Sequence, residues 1–144
     1  MLTSDLANKI LIEPIRDGAD RLCIVSGYAT HTMASWHIKR IQSLNYQPIE
    51  ISLVVGMCCF DGLSVHVHEG FKSLMDANHN NSQNSKLTCQ YVYEGPPVHS
   101  KVYVWLKNGT PYKAFTGSAN YTQPAFSESR REILTLCDPH AAFD

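Results

Sequence analysis

The sequence lacks the long apolar run that a membrane-spanning helix requires. No stretch approaches about 20 consecutive apolar residues, and Asp5 and Glu13 interrupt the amino-terminal segment, where a secretion signal needs a basic start and an apolar block. The chain also lacks an excess of charge of either sign, since 12 basic residues stand against 13 acidic ones and the net charge is -1. We therefore expect a cytoplasmic protein with no membrane partner and no surface-wide field that gathers a polyanion.

Paired cysteines are missing as well. The five cysteines are an odd number and form no CxxC motif, which disfavours a disulfide framework. His66 and His68 suggest a zinc site with His31, His37 or Cys59, but nothing completes the second close pair of ligands that is typical of structural zinc. We expect no metal and no cofactor, and we expect the cysteines only to pack.

The chain does contain enough apolar surface for one core. Hydrophobic residues make up 44% of its 144 residues and charged residues only 17%, a composition typical of one globular domain. Apolar runs predict buried strands at residues 21–28 and 49–57. Between them, apolar residues recur at helical spacing after a capping Thr30: Met33, Trp36, Ile41 and Leu44. Strand, helix and strand form the unit of a parallel sheet.

The remaining periodicity predicts two more helices and four more strands. One helix covers residues 6–15 and is ended or bent by Pro14. The other covers about 64–77, although the alternation of His66 and His68 with valines would also suit an extended first turn. Asn108-Gly109 is a strong hairpin signal. The strands are predicted at Leu87–Tyr93, His99–Lys107, Pro111–Thr116 and Ile133–Cys137.

Polar residues that can bind or attack an anionic group stand on both sides of this hairpin. Residues two apart on a strand share a face, so His99 and Lys101 place a nucleophile beside a cation. After Gly117, the side chains of Ser118 and Asn120 offer a hydroxyl and an amide, which suit the oxygens of a phosphate. Residues 95–136 carry five basic residues against two acidic ones, so a polyanion would bind in this segment.

Glu132 stands at the head of the last strand. Its carboxylate could accept the second ring N–H of His99 and fix the tautomer of the imidazole. Two plainer interpretations remain open. Ser118 and Asn120 could cap a turn, and Glu132 could form a surface ion pair with Arg131, a contact of little energetic weight.

The segments HSK at 99–101 and GSAN at 117–120 resemble the signature of the phospholipase D superfamily, H-x-K followed by an aspartate and then G-S/T-x-N. The aspartate is absent, because Leu106 stands at its position. Together with Ser26-Gly27-Tyr28 before a helix, the pattern is most similar to the metal-independent NgoFVII/BfiI-type restriction endonucleases. The resemblance implies an α/β fold with a mixed, largely parallel central sheet flanked by helices and one copy of the motif per chain.

The resemblance also implies a mechanism and partners. His99 would attack phosphorus to form a phosphohistidine without a metal, while Lys101, Ser118 and Asn120 hold the phosphate oxygens and Glu132 orients His99. Superfamily members protonate the leaving group with a histidine from a second motif. One motif per chain therefore implies a homodimer with one active site shared at the subunit interface, acting on DNA.

The expected domain organisation rests on this resemblance and on residues 138–142, which look like the start of a connection. Residues 1–138 are expected to form the nuclease domain, and residues 139–144 to begin a linker to a separate carboxy-terminal DNA-recognition domain, because nothing in the chain looks like a base-reading element. Two other functions remain open. One is a lipid phosphodiesterase or phosphatidyl transferase, although no amphipathic basic helix supports it. The other is a non-catalytic phosphate-binding dimerisation module.

Overall fold

The computed structural model describes residues 1–127 and 129–144, and this part of the chain contains one sheet of six strands. The spatial order of the strands is β3-β2-β1-β4-β5-β6. The strands are β1 (Arg21–Ser26), β2 (Glu50–Val55), β3 (Lys86–Tyr91), β4 (Lys101–Lys107), β5 (Thr110–Gly117) and β6 (Leu134–Cys137). The predicted strands are all present, with ends within two residues of the predictions.

The expected α/β fold with a mixed sheet is confirmed, but the sheet is not largely parallel. β1, β2 and β3 are parallel, whereas the pairs β1–β4, β4–β5 and β5–β6 are antiparallel. A parallel β4 would need a crossover that returns the chain to the opposite edge of the sheet. The nine residues between β3 and β4 contain no helix, so the chain re-enters the sheet at the edge where β3 ends. The hairpin between β4 and β5 turns at Asn108 and Gly109, which both have positive φ as a type I′ turn requires.

Two long helices, α2 (His31–Ser43) and α4 (Val65–His79), cover the sheet. Thr30 and Ser64 cap them by accepting hydrogen bonds from backbone N–H groups three residues later. The first turn of α4 is thus helical and not extended. Trp36 was predicted to face the core, but it is 36% exposed. The buried face of α2 consists of Met33, Ala34, His37, Ile38 and Ile41.

His37 occupies the core because both of its ring nitrogens have partners. Nε2 lies 2.9 Å from the carbonyl oxygen of Leu11, and Nδ1 lies 2.9 Å from the hydroxyl of Tyr121. A carbonyl oxygen only accepts, so Nε2 carries the proton and Nδ1 accepts from the tyrosine. These hydrogen bonds offset the cost of burying a polar ring. His37 therefore belongs to the buried face of α2, and the neighbouring Trp36 lies outside that face.

The amino-terminal helix continues through Pro14. A π-helical segment, Ala7–Ile12, passes directly into the short helix α1 (Glu13–Arg16). Proline has no N–H to donate to the residue four positions earlier, which is Ile10. The carbonyl of Ile10 accepts instead from the indole of Trp105 on β4 at 2.7 Å. The irregular helix is therefore fastened to the sheet at the point where its own hydrogen bond is missing.

Three short helices lie outside the predicted elements: α3 (Cys58–Asp61), α5 (Gln123–Phe126) and α6 (Pro139–Phe143). Asp138 caps α6, and Ala142 packs against Val104 and its neighbours on the smaller apolar face of the sheet. Residues expected to begin a linker thus pack against the domain, while a further recognition domain stays a prediction. Among the described helices, none is both long enough and apolar enough to cross a membrane.

Candidate active site

The topology gathers the candidate residues at one edge of the sheet. Ser26, the last residue of β1, pairs with Lys101, the first residue of β4. Farther along the same edge, Gly117 at the end of β5 pairs with Leu134 at the start of β6. The parallel strands also end at this edge. HSK, GSAN and Glu132, which are separated in the sequence, therefore come together around the ends of four adjacent strands.

Lys101 is nearly buried, with 8% of its surface exposed. Its ammonium donates a hydrogen bond of 2.7 Å to the backbone carbonyl oxygen of His99, and this is its only hydrogen bond within the described residues. Burial lowers the pKa of Lys101, and the nearby carboxylate of Glu132 opposes that shift. A desolvated ammonium that has a neutral acceptor and one nearby carboxylate can accommodate a further anion.

His99 is exposed and lies just before β4, which begins at Lys101. The two residues therefore do not form the shared strand face that the sequence predicted. The imidazole of His99 instead rests against the end of β1. A Cβ atom at Gly27 would lie 2.9 Å from Cδ2 of His99, closer than real side chains approach. The ring of Tyr28 meets the imidazole edge to face, with 6.1 Å between the ring centroids and an angle of 81° between the planes. The absence of a side chain at Gly27 therefore makes room for the imidazole.

The GSAN turn leaves β5 through a tight approach to the next strand. A Cβ atom at Gly117 would lie 2.0 Å from the carbonyl oxygen of Ile133, so only glycine fits there. The N–H of Ser118 donates to that carbonyl, and the N–H of Ile133 donates to the Ser118 hydroxyl, both at 2.9 Å. The turn is also held from below, because the hydroxyl of the buried Tyr103 donates to the carbonyl of Ala119 at 2.8 Å.

Ser118 donates its hydroxyl proton to Glu132. The expected hydrogen bond from His99 to Glu132 is not among those that residues 1–127 and 129–144 form, and neither is the alternative ion pair between Glu132 and Arg131. The carboxylate thus acts directly on Ser118, and by its charge on Lys101.

Asn120 uses its carbonyl oxygen for structure. Oδ1 accepts from the backbone N–H of Tyr28 at 3.1 Å and lies 3.3 Å from the hydroxyl of Ser26. This half of the side chain therefore has a structural role, but it joins the turn to the end of β1 and does not cap the turn itself. Because Oδ1 is engaged, Nδ2 is the group that can still donate to an anion.

Three residues of this site carry no predicted role: Ser26, Tyr28 and Asp61. The buried hydroxyl of Ser26 accepts from the N–H of Tyr121 at 2.9 Å and so links β1 to the GSAN turn. The phenol of Tyr28 donates to the carboxylate of Asp61 on α3, which raises the pKa of the Tyr28 hydroxyl. Ser26-Gly27-Tyr28 was a visible signal, but only as part of a family resemblance, and nothing local marked Asp61.

The histidines considered for zinc lie elsewhere. The rings of His31 and His66 are 5.3 Å apart, and Nδ1 of His68 lies 3.2 Å from the hydroxyl of Tyr91. Within the described residues, no group of three or more side chains is arranged to hold a metal ion. All five cysteines are half-buried free thiols.

One HSK and one GSAN segment, held together at the edge of a mixed sheet, define a domain of the phospholipase D class. Residues 4–144 match the family described as the NgoFVII restriction endonuclease N-terminal PLD domain, and the chain belongs to that family. Among solved structures, NucT from Helicobacter pylori is similar, with a TM-score of 0.48 and 16% identity over 99% of this chain and 86% of NucT. None of the curated proteins compared with the chain matches it.

Proposed function

We propose that the chain is a metal-independent phosphodiesterase that cleaves DNA, as the catalytic domain of a restriction endonuclease. The observation that carries the proposal is that the nearly buried Lys101 holds its ammonium 2.7 Å from the backbone carbonyl oxygen of the exposed His99. Family membership supports DNA as the substrate. A phosphodiester supplies both the anion that the ammonium can bind and the electrophile that the imidazole can attack.

In the first step, a ring nitrogen of neutral His99 attacks phosphorus and forms a P–N bond. The bond from phosphorus to one ester oxygen breaks, and the departing oxygen takes a proton from a general acid. Lys101, Ser118 and Nδ2 of Asn120 donate to the nonbridging oxygens and stabilise their growing negative charge, which is the task of a metal ion in other nucleases. Glu132 supports this step through Ser118, and we keep its action on His99 as part of the proposal.

In the second step, a water molecule attacks the phosphohistidine and the P–N bond breaks, which returns neutral His99. The group that first donated a proton now removes one from this water. We assign that group to His99 of a second copy of the chain, so that a two-fold axis passes through one shared active site. Sequence recognition would belong to a separate carboxy-terminal domain, because the described residues present no base-reading helix.

The test is cleavage of supercoiled plasmid by the purified chain in excess EDTA. We expect wild type to nick the plasmid, His99→Ala to be inactive, and His140→Ala, which changes an exposed histidine on α6, to match wild type. A labelled oligonucleotide should yield an acid-labile, base-stable protein adduct that depends on His99. Cleavage that persists in His99→Ala would refute the mechanism. An adduct that forms with a phosphatidyl substrate but not with DNA would replace DNA by a lipid.

A further inference from the structure

The imidazole of His99 needs a fixed orientation if it is to attack phosphorus. An exposed imidazole rotates about its side-chain bonds, and each rotation changes which nitrogen faces the substrate. Within the described residues no side chain forms a hydrogen bond with this ring, and the carboxylate of Glu132 receives the proton of Ser118 instead. Some other contact must therefore hold the ring.

Tyr28 provides that contact and is itself held from three sides. Its N–H donates to Oδ1 of Asn120, and its carbonyl oxygen lies 2.5 Å from the hydroxyl of Ser26, which is placed to donate to it. Its phenol donates to Asp61. The face and edge of its ring and of the His99 imidazole meet at a steep angle, the arrangement that aromatic pairs favour.

We propose that Tyr28, fastened by Asp61, is a positioning residue that orients the imidazole of His99 for attack on phosphorus. The inference rests on the proposed nuclease function. Asp61 lies 33 residues from Tyr28 in the sequence and acts on the nucleophile only through the tyrosine ring. The pair thus does for His99 what a carboxylate commonly does directly for a catalytic histidine.

Exposure separates this role from a role in folding. Tyr28 is 41% exposed, so removing its side chain uncovers little core. Tyr93, on the same edge of the sheet and 75% exposed, is a matched control for the loss of an exposed aromatic residue that could contact DNA.

The experiment measures single-turnover nicking at saturating DNA in excess EDTA, together with the NMR signals of the His99 ring in the DNA-free protein. We expect Tyr28→Leu to lower the rate about 3- to 10-fold, the value of one aromatic pair, with unchanged affinity for DNA. The His99 signals should lose the shift caused by the tyrosine ring.

Tyr28→Phe and Asp61→Ala should give equal, smaller losses of rate that do not multiply in the double variant, because they break the same hydrogen bond. Asp61→Asn, whose amide oxygen can still accept from the phenol of Tyr28, should keep the wild-type rate.

Two results would overturn the proposal. One is a wild-type rate for Tyr28→Leu with unchanged His99 signals. The other is an equal loss in Tyr93→Leu, which would assign the effect to DNA contact. If wild type fails to cleave DNA while the His99 signals respond to Tyr28→Leu, the nuclease function fails and the orientation of His99 by Tyr28 stands.

Discussion

The hydroxyl of Ser118 donates its proton to the carboxylate of Glu132 and accepts the backbone N–H of Ile133. The segment just before β6 that supplies the carboxylate therefore also fixes the hydroxyl in the GSAN turn. Substrate would have to compete with Glu132 for the Ser118 proton. Ser118 and Glu132 therefore act as one unit.

Removing either member of this pair should cost nearly the same activity. We expect Ser118→Ala and Glu132→Ala each to slow metal-free nicking by roughly 10- to 100-fold, the value of one hydrogen bond to a charged group. Because both variants break the same contact, the double variant should be no slower than the slower single variant. Plasmid nicking rates measure this, with Glu94→Ala as a control at an exposed carboxylate. Losses that multiply would show that Glu132 acts independently of Ser118, for instance on His99.

Lys101→Met should separate stability from activity. The ammonium is desolvated and has one hydrogen bond, to the carbonyl oxygen of the exposed His99, so an apolar side chain of similar length removes a desolvated charge at the cost of one donor to a neutral acceptor. We expect the melting temperature to stay equal or rise, while nicking falls by about 100-fold or more, as in the loss of a donor to a developing oxyanion. A variant that unfolds while DNA binding and cleavage persist in its folded fraction would contradict this assignment.

The lowered pKa of Lys101 also gives a sign for the pH dependence of stability. Between the lowered folded value and the ordinary value of 10.5, the unfolded chain binds more protons than the folded one. The free energy of unfolding contributed by this group therefore increases as the pH rises through that interval. Denaturant titrations of wild type and Lys101→Met from pH 8 upward should show a steeper rise for wild type. Parallel curves would mean that the ammonium is solvated in the folded chain.

A shared active site predicts a particular response to mixing. If one His99 attacks and the partner's His99 protonates the leaving group, only dimers with two wild-type chains cut at full rate. In randomly exchanged mixtures with His99→Ala, the rate should follow the square of the wild-type fraction, about a quarter at equal amounts. Mixing with His140→Ala should leave the rate unchanged. A linear decline, or full activity in a chain that light scattering shows to be monomeric, would exclude the shared site.

The sequence predicted those parts of the molecule that local patterns determine. Apolar runs correctly placed β1 and β2, helical spacing after the cap at Thr30 placed α2, and Asn108-Gly109 placed the hairpin. The direction of β4 was not predicted from such a pattern, because it depends on how the chain leaves β3. Helical spacing alone also could not show that His37, with its two buried hydrogen bonds, would displace Trp36 from the core.

The candidate site shows the same division. HSK and GSAN are short motifs that can be recognised in the sequence, so the candidate residues could be predicted from them. The sheet brings both motifs to one edge. The partners of those residues are tertiary contacts over long sequence separations, as in the hydrogen bond of Tyr28 to Asp61 or of Asn120 to Tyr28. Glu132 was assigned to His99 because a carboxylate commonly orients a catalytic histidine. A carboxylate accepts equally well from any nearby donor, and the fold places the hydroxyl of Ser118 against it.

His37 should make the domain sensitive to acid. Complete burial lowers the pKa of this histidine from 6.5 to about 4. Between these values the unfolded chain binds a proton that the folded chain does not, so the free energy of unfolding falls as the pH falls from 6.5 to about 4. The shift corresponds to about 3 kcal/mol, at about 1.4 kcal/mol for each pKa unit. Denaturant titrations at pH 7, 5.5 and 4.5 should show this loss in wild type.

A His37→Gln variant isolates that contribution, because its amide cannot titrate and can still donate to the carbonyl of Leu11. We expect it to be less stable than wild type at pH 7 and to lose less stability on acidification, so the two curves converge.

Tyr121, which donates to His37, also joins the GSAN turn to Ser26. Acid should therefore loosen the turn before the rest of the sheet, which hydrogen exchange at the N–H of Tyr121 would detect. Exchange that stays slow at pH 4.5 while the domain as a whole loses stability would show that the turn is held without His37.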